Sequence, residues 1–237
     1  MLANLLLISN STVFGRGYLD HVTGEVVSAL GNVRNVLFFP YALHDTDSYA
    51  AKAGQRLNAL GYKVISIHTI EPRDRRRAVE AASALFIGGG NTFRLLTALY
   101  RDDLLDPIRA KVAAGTPFIG SSAGSIVAGP TIKTTKDMPI LQPPSFDSLG
   151  IFPYQISPHY LDPDPNSKHM GETQEERILQ FLEENTTPVI GLREGSFVRQ
   201  TGGTAVLRGP HTARFFCRNI PPIELEPGTD LISLLGA

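Results

Sequence analysis

The sequence contains no tryptophan, a single cysteine and almost no net charge. Because Cys217 has no second cysteine to pair with, an intramolecular disulfide and a multi-cysteine zinc site are excluded, and a reducing, cytoplasmic location is predicted. The formal net charge of -1 leaves no basic excess to bind phosphate backbones, so we expect no nucleic-acid partner. The apolar run near the N-terminus is too short to cross a bilayer and lacks a cationic flank, so we interpret it as a buried strand and expect no membrane association.

Apolar runs alternate with helix-like segments along most of the chain. The runs that predict strands are NLLLIS (4–9), VRNVLFFP (33–40), YKVISIH (62–68), ALFIGG (84–89), PFIG (117–120) and PVIGL (188–192). The segments that predict helices are YAAKAGQRLNAL (49–60), TFRLLTALY (92–100) and ERILQFLEEN (176–185). Thr173 and Glu176 have capping-box spacing at the start of the last of these. This alternation predicts an α/β fold, a three-layer sandwich with a mostly parallel central sheet.

Two regions depart from the alternation. From Ser196 onward, short runs punctuated by glycine predict a small antiparallel C-terminal addition. Between Pro130 and Asn166 the chain is rich in proline, and a loop of this length inside a compact domain is usually functional or disordered. No linker or repeat divides the chain, so we predict one catalytic domain over residues 1–237. Apolar stretches after residue 220 either complete the core or cover the partner of a homodimer.

The stretch GSSAG (120–124) matches G-x-S-x-G and lies between a predicted strand and a helix-competent segment. In this pattern the serine stands on a sharp strand-to-helix turn, and glycines are required because a side chain would collide with the adjacent backbone. The sequence therefore makes Ser122 a candidate nucleophile. The simpler alternative is a tight turn built from small residues.

A second glycine-rich turn follows the strand ALFIGG and leads into a helix that Asn91 or Thr92 caps. We predict that the backbone amides of Gly89 and Gly90, together with that of Ala123, form an oxyanion hole. The alternative is a dinucleotide or phosphate turn, but G-G-G-N differs from G-x-G-x-x-G.

A serine nucleophile needs a histidine base that a carboxylate orients. Among the six histidines, His159 follows the strand-like IFPYQIS, which places it at the end of a strand where it can meet Ser122. The remaining histidines, which we favour less as the base, are His21, His44, His68, His169 and His211. Two acids compete for the third position: Glu194, directly after PVIGL, and Asp137, in the loop beyond the helix that follows Ser122. We favour Glu194 and keep Asp137 as the alternative acid.

A metal site is the competing interpretation of one acidic region. The residues His159, Asp162, Asp164, His169 and Glu172 lie close together in the sequence, but their spacing fits neither H-E-x-x-H nor an EF-hand. We therefore predict no metal and no cofactor.

Ordered sequence blocks resemble the peptidase E family of α-aspartyl dipeptidases over most of the chain. They are SNST (9–12), GGGNTF (88–93), SAG (122–124), DMPI (137–140), FP-x-Q-I-x-PH (152–159), GET (171–173) and VIGL-x-EG (189–195). The resemblance implies a fold similar to class I glutamine amidotransferases, with serine in place of their nucleophilic cysteine. It also implies a Ser-His-Glu triad on Ser122, His159 and Glu194, and cleavage of dipeptides with an N-terminal aspartate. Asp137 matches an acid that is also a candidate essential residue in that family.

The chain departs from the family at the residue after GET. Gln174 stands where the family has an arginine, and a neutral amide does not provide the charged, bidentate pairing that arginine gives a carboxylate. We assign Asn91 and Gln174 to substrate binding. If aspartate selectivity is retained, the cation must come from elsewhere; the candidates are Lys136, Lys168, His169, Arg94 and Arg193.

The sequence thus predicts a serine dipeptidase that acts through an acyl-enzyme, on a small peptide substrate. Three alternatives stay open: a serine exopeptidase of the same fold with broader specificity, an esterase that uses Asp137, and a ligand-binding module without catalytic activity.

Overall fold

Two β-sheets organise the chain, and the computed structural model describes residues 3–168 and 170–236. The described strands, in chain order, are β1 (Asn4–Ile8), β2 (Asn35–Phe39), β3 (Lys63–Ser66), β4 (Leu85–Ile87), β5 (Phe118–Ser121), β6 (Gln155–Pro158), β7 (Val189–Leu192), β8 (Phe197–Thr201), β9 (Thr204–Arg208), β10 (Ala213–Cys217) and β11 (Ile220–Leu225). The larger sheet has the order β3-β2-β4-β5-β1-β8-β9, in which the first five strands are parallel and β8 pairs antiparallel with both β1 and β9. The smaller sheet has the order β11-β10-β7-β6, in which only β6 and β7 are parallel.

Three of the seven described α-helices begin with a side-chain cap. The described α-helices are α1 (Thr23–Leu30), α2 (Thr46–Ala59), α3 (Arg75–Ala81), α4 (Thr92–Arg101), α5 (Leu105–Ala113), α6 (Ala123–Ile126) and α7 (Gln174–Glu184). Short 3₁₀ segments occupy Asp20–Val22, Ile67–Thr69, Pro72–Asp74 and Leu231–Gly236. The side chain of Asp45 accepts a hydrogen bond from the Ser48 amide at the start of α2. The capping box predicted for Thr173 and Glu176 is confirmed at the start of α7.

The core lies on both faces of the larger sheet, because side chains alternate along each strand. Leu5 and Leu7 of β1 belong to one buried cluster, whereas Leu6 and Ile8 belong to the other. Helices α1 and α2 cover the second face. Helices α4 and α5 and the apolar side chains of the smaller sheet pack on the first face. A central strand buried on both sides reads as a continuous apolar run, which is the pattern that the sequence shows.

The predicted α/β sandwich with antiparallel C-terminal strands is confirmed, with one difference. The run at 188–192 becomes β7 of the smaller sheet rather than a strand of the central sheet, and the C-terminal strands divide between the two sheets. The proline-rich region from 130 to 154 contains no strand, yet Ile132, Leu149 and Phe152 within it are buried. This region is therefore packed onto the core. No helix among the described residues is both long and apolar enough to span a bilayer.

Candidate active site

Ser122 occupies the corner between β5 and α6. Its φ of 51° lies in the left-handed region that non-glycine residues rarely adopt, and its amide donates to the carbonyl oxygen of Ile8 in the neighbouring strand. A Cβ at Gly120 would collide with the carbonyl oxygen of Gly124, and one at Gly124 would collide with the carbonyl oxygen of Ile87. Both glycines of GSSAG are therefore required sterically. The corner has the strained strand-to-helix geometry that exposes a serine hydroxyl.

His159 reaches Ser122 from the other sheet. It follows β6 directly, with a φ of 53°, and its backbone amide donates to the Ser9 hydroxyl oxygen at 2.9 Å. The Ser9 hydroxyl in turn donates to the carbonyl oxygen of Leu192, at the end of β7, at 2.8 Å. Ser9 directly follows β1, so this one side chain ties the carboxyl end of the larger sheet to the segment that carries the histidine.

Three side chains form a continuous line of hydrogen bonds. Ser122 Oγ lies 2.9 Å from His159 Nε2, and His159 Nδ1 lies 2.6 Å from Glu194 Oε1. The Asn10 side-chain oxygen accepts from the Gly195 amide at 2.7 Å, which holds the turn that carries Glu194. The imidazole can accept the serine proton through Nε2 while Nδ1–H donates to the carboxylate. The His159 and Glu194 side chains are 41% and 53% exposed, so solvent reaches this end of the line.

Asp137 lies apart from the imidazole. Its Oδ2 accepts from the Thr92 amide at 2.7 Å, from the Thr92 hydroxyl at 2.6 Å and from the Thr135 hydroxyl at 3.1 Å. Asp137 therefore attaches its loop to the start of α4, where a negative charge interacts favourably with the helix dipole. The structure brings Glu194 to His159 and does not bring Asp137 there.

The backbone amides near Ser122 are not equivalent. The Gly89 amide donates to the Tyr49 hydroxyl oxygen at 2.8 Å, so it is not free to bind an oxyanion. The amides of Gly90 and Ala123 have no acceptor within the described part of the chain. Gly90 has a φ of 132°, and a Cβ there would collide with backbone and side-chain atoms of the preceding loop. We therefore leave Gly89 out of the oxyanion hole and keep Gly90 and Ala123 as its candidates.

A cavity of about 710 Å³ opens over Ser122. The residues that line it include Gly89, Gly90, Ser122, Asp137 and His159, together with Asp45, Ser48, Tyr49 and Lys52 from the start of α2. These last four share one face of α2, because their spacing of three, one and three residues matches the helical period. Lys52 is the only lysine or arginine among the described residues that line the cavity, and its ammonium lies 5.0 Å from the centroid of the Tyr18 ring.

Sequence reasoning missed this wall of the cavity. The spacing of Asp45, Ser48, Tyr49 and Lys52 was visible, but it resembles the polar face of any surface helix. Burial raises the pKa of Tyr49, so its hydroxyl stays protonated at neutral pH. Ser9 and Asn10 were also missed, although a polar pair directly after a buried strand is the local signal for a strand-end role.

Neither residue assigned to substrate binding lines the cavity. The Asn91 side-chain oxygen accepts from the Arg94 amide at 3.0 Å, capping α4, and its amide group donates to the carbonyl oxygen of Met138 at 2.8 Å. The Gln174 side-chain oxygen accepts from Lys136 Nζ at 2.9 Å and from the Leu161 amide at 3.1 Å. Both side chains therefore hold loops rather than face the cavity.

Of the residues predicted to supply a substrate-binding cation, none that the structure describes lines the cavity. Arg193 forms ion pairs with Asp162 at 2.6 Å and Glu224 at 2.9 Å, and these raise the pKa of its guanidinium. Lys136 donates to three protein oxygens. Arg94 and Lys168 do not line the cavity, and His169 lies outside the described residues.

Two carboxylates of the acidic region considered for a metal form ion pairs with arginines. Asp162 pairs with Arg193, and Glu172 lies 3.6 Å from Arg177. Within residues 3–168 and 170–236, no group of histidine, cysteine and carboxylate side chains has the arrangement of a metal site.

Comparisons with known proteins agree on one family. The model of peptidase family S51 matches residues 5–208. A relative from Streptomyces coelicolor named peptidase E is 51% identical, over 98% of this chain and 95% of its own. A relative from Drosophila melanogaster named probable alpha-aspartyl dipeptidase is 48% identical, over 98% of this chain and 97% of its own. The crystal structure of a peptidase from an acI-B1 Actinobacterium shares the fold, with a TM-score of 0.72 at 17% identity over 98% of this chain and 97% of that one.

Proposed function

Since the chain belongs to peptidase family S51 and is a serine-type dipeptidase, we propose that it hydrolyses dipeptides with an N-terminal aspartate through Ser122, His159 and Glu194. The observation that carries this proposal is the line of contacts from Ser122 Oγ to His159 Nε2 and from His159 Nδ1 to Glu194 Oε1. A nucleophile, a base within hydrogen-bond reach and a carboxylate that orients the base are the parts that acyl transfer requires.

In the proposed mechanism, Ser122 Oγ attacks the carbonyl carbon of the scissile bond as His159 Nε2 accepts its proton. Glu194 holds the imidazole in the tautomer with hydrogen on Nδ1 and stabilises the imidazolium that forms. The imidazolium then donates its Nε2 proton to the leaving amine, which releases the second amino acid. Water, deprotonated by the same nitrogen, hydrolyses the ester on Ser122 and releases the first amino acid.

The Gly90 and Ala123 amides are the proposed donors to the oxyanion. Both lie beside Ser122 and neither is used by another acceptor in the described part of the chain. Fixed amides stabilise the developing charge without reorganisation, and losing one such donor typically costs about 100- to 1000-fold in kcat.

The charges around the cavity suit a short peptide with an N-terminal aspartate. We assign the aspartyl carboxylate to Lys52, the cation on the cavity wall. We assign the α-ammonium group to Asp137, whose Oδ1 has no hydrogen-bond partner among the described residues while Oδ2 is held by threonines. A cation placed for the side-chain carboxylate and an anion placed for the α-ammonium group of the same amino acid favour substrates that are cut after their first residue.

The first experiment tests the nucleophile. Ser122→Ala should lower kcat for Asp-Leu by about 10⁶-fold, because the members of such a triad act as a unit. Activity at the wild-type rate in this variant would refute the proposed function. Circular dichroism and melting temperature would establish that the variant is folded.

The second experiment tests the substrate. Asp-Leu and Asn-Leu differ only in the charge of the first side chain, so the ratio of their kcat/KM values isolates carboxylate recognition. We expect Lys52→Met to lower this ratio about 10-fold or more and to leave Asn-Leu hydrolysis nearly unchanged. The matched control is Lys63→Met, because Lys63 is exposed and does not line the cavity. Equal wild-type rates on Asp-Leu and Ala-Leu would instead establish a broader dipeptidase.

The cytoplasmic location, the single catalytic domain over residues 1–237 and the homodimer stay predictions from the sequence.

A further inference from the structure

Lys136 connects three segments that meet behind the catalytic histidine. Its ammonium donates to the carbonyl oxygen of Pro158 at 2.6 Å, to that of His159 at 3.2 Å and to the side-chain oxygen of Gln174 at 2.9 Å. An ammonium group has three hydrogens, and all three have an acceptor here. Lys136 precedes Asp137, so the same loop contacts both the cavity and the back of the base.

Gln174 completes this arrangement from the first turn of α7. Its side-chain oxygen accepts from Lys136 and also from the Leu161 amide at 3.1 Å. Lys136 and Gln174 together therefore hold the backbone of Pro158, His159 and Leu161. These contacts fix the chain at His159 itself and on either side of it in the sequence.

The backbone that they hold is strained. His159 has a φ of 53°, a conformation that a non-glycine residue rarely adopts and that persists only where surrounding contacts enforce it. The direction of an imidazole depends on its backbone, and misplacing a reacting group by about 1 Å can cost about 100-fold in rate. Contacts that fix the carbonyl groups of Pro158 and His159 therefore act on catalysis without touching the substrate.

We propose that Lys136 is a positioning residue for His159, and that Gln174 is the acceptor that keeps the Lys136 ammonium in place. This inference rests on the proposed roles of Ser122 and His159. It assigns Gln174 to the base loop rather than to the substrate.

The charges and the burial around the Lys136 ammonium affect both the residue that can stand at position 174 and the pKa of Lys136. An arginine at position 174 would bring a second cation to the point where the Gln174 oxygen now accepts a hydrogen bond, and like charges at that distance repel. Desolvation lowers the pKa of Lys136 to about 8, with Asp137 and Glu194 opposing the shift and Arg177 adding to it. Lys136 as a residue is exposed, so this loss of hydration concerns its ammonium end, where the three oxygens lie. The contacts carry the proposal, and the titration provides a readout.

The test compares Lys136→Met with Lys133→Met, measured on Asp-Leu. Lys133 belongs to the same loop, is exposed and donates to Asn185 at 3.3 Å, so it is a matched control outside the active site. We expect Lys136→Met to lower kcat about 10- to 100-fold, with KM changed less than about threefold, because a charge-assisted contact is lost but the cavity wall is intact. Lys133→Met should behave as wild type. A kcat within about twofold of wild type in folded Lys136→Met would overturn the proposal.

The pH profile separates positioning from a general effect on folding. A neutral amine has two hydrogens for three oxygens, so kcat of the wild-type protein at saturating substrate should fall as pH rises through about 8. This alkaline decrease should be weaker in Lys136→Met than in the wild-type protein and Lys133→Met, because deprotonation of the substrate α-ammonium group at about pH 8 is common to all three. An identical alkaline decrease in Lys136→Met would contradict the proposal.

A charge exchange tests the role of Gln174. Gln174→Arg should lower kcat about 10-fold or more by repelling Lys136, and adding Lys136→Gln to it should recover part of that loss. A Gln174→Arg variant with the kcat of wild type would overturn the assignment. Ser122→Ala distinguishes failure of the proposed function from failure of the positioning role. If Ser122→Ala is active, the proposed function fails. If it is inactive and Lys136→Met has the kcat of wild type, only the positioning role of Lys136 fails.

Discussion

Replacing Glu194 by glutamine removes one charge from the hydrogen-bonded line of Ser122, His159 and Glu194 and changes almost nothing else. Glutamine has the same shape as glutamate, and its side-chain oxygen can still accept from His159 Nδ1–H, now 2.6 Å from the carboxylate. The imidazole therefore keeps its tautomer and its aim at Ser122. What the imidazole loses is the negative charge that, in the proposed mechanism, stabilises the imidazolium in the transition state.

The solvent exposure of His159 and Glu194 determines how far kcat should fall in Glu194→Gln. Charge centres about 4 Å apart interact by about 1 kcal/mol in water and by about 4 kcal/mol near a protein surface. Since the His159 and Glu194 side chains are 41% and 53% exposed, the pair lies between these limits. An interaction of about 2–3 kcal/mol corresponds to a decrease in kcat of about 30- to 150-fold. A buried triad loses about 10⁴-fold when its acid becomes an amide and the imidazole adopts the wrong tautomer, so the smaller loss expected here requires the glutamine oxygen, rather than its amide nitrogen, to face His159 Nδ1.

The assay is the steady-state kcat of Glu194→Gln on Asp-Leu, with Glu184→Gln as the control. Glu184 is an exposed carboxylate on α7, away from the cavity, so its substitution should leave kcat unchanged. A wild-type kcat in Glu194→Gln would refute the role of this carboxylate. A decrease beyond about 10⁴-fold would refute the argument from exposure. Asp137→Asn discriminates the rival acid, because we expect it to raise KM more than it lowers kcat.

Three further predictions follow from single contacts. Tyr49→Phe leaves the Gly89 amide, beside Ser122, without its acceptor and should lower kcat about 5- to 100-fold, whereas Tyr62→Phe, which lies away from the cavity, should not. Ser9→Ala removes the hydroxyl that joins the larger sheet to the segment that carries His159 and should lower kcat about 5- to 30-fold with little change in KM. Gly124→Ala overpacks the nucleophile corner and should lower the melting temperature by about 2–12 °C. Gly203→Ala, which meets open space, should change the melting temperature little in the same calorimetric measurement.

The layers of the fold could be predicted because burial on both faces leaves continuous apolar runs. The run NLLLIS forms the interior strand β1, and the capping-box pair before ERILQFLEEN marks the start of α7. The second sheet could not be predicted in this way. A strand such as PVIGL has the same apolar pattern in either sheet, and only long-range pairing decides which neighbour it joins.

In the candidate site, too, features with a local sequence pattern could be predicted and long-range contacts could not. The position of Ser122 at a strand-to-helix corner could be predicted because such a corner demands glycines at fixed offsets. The Gly89 amide was assigned to the oxyanion hole because the sequence does not reveal that Tyr49, forty positions earlier, takes that donor. Gln174 was assigned to substrate for a similar reason, since its partner Lys136 lies thirty-eight positions away. Contacts between distant polar side chains leave no periodicity in a sequence.

Covalent labelling tests the central claim most directly, namely that Ser122 is the nucleophile activated by His159. A serine-directed organophosphorus reagent would be reacted with the wild-type protein and with His159→Gln, and the modified residue located by peptide mass spectrometry. The account predicts a single adduct on Ser122, loss of dipeptidase activity in proportion to labelling, and strongly slowed labelling in His159→Gln. An adduct on another residue, or full activity with Ser122 fully labelled, would contradict it.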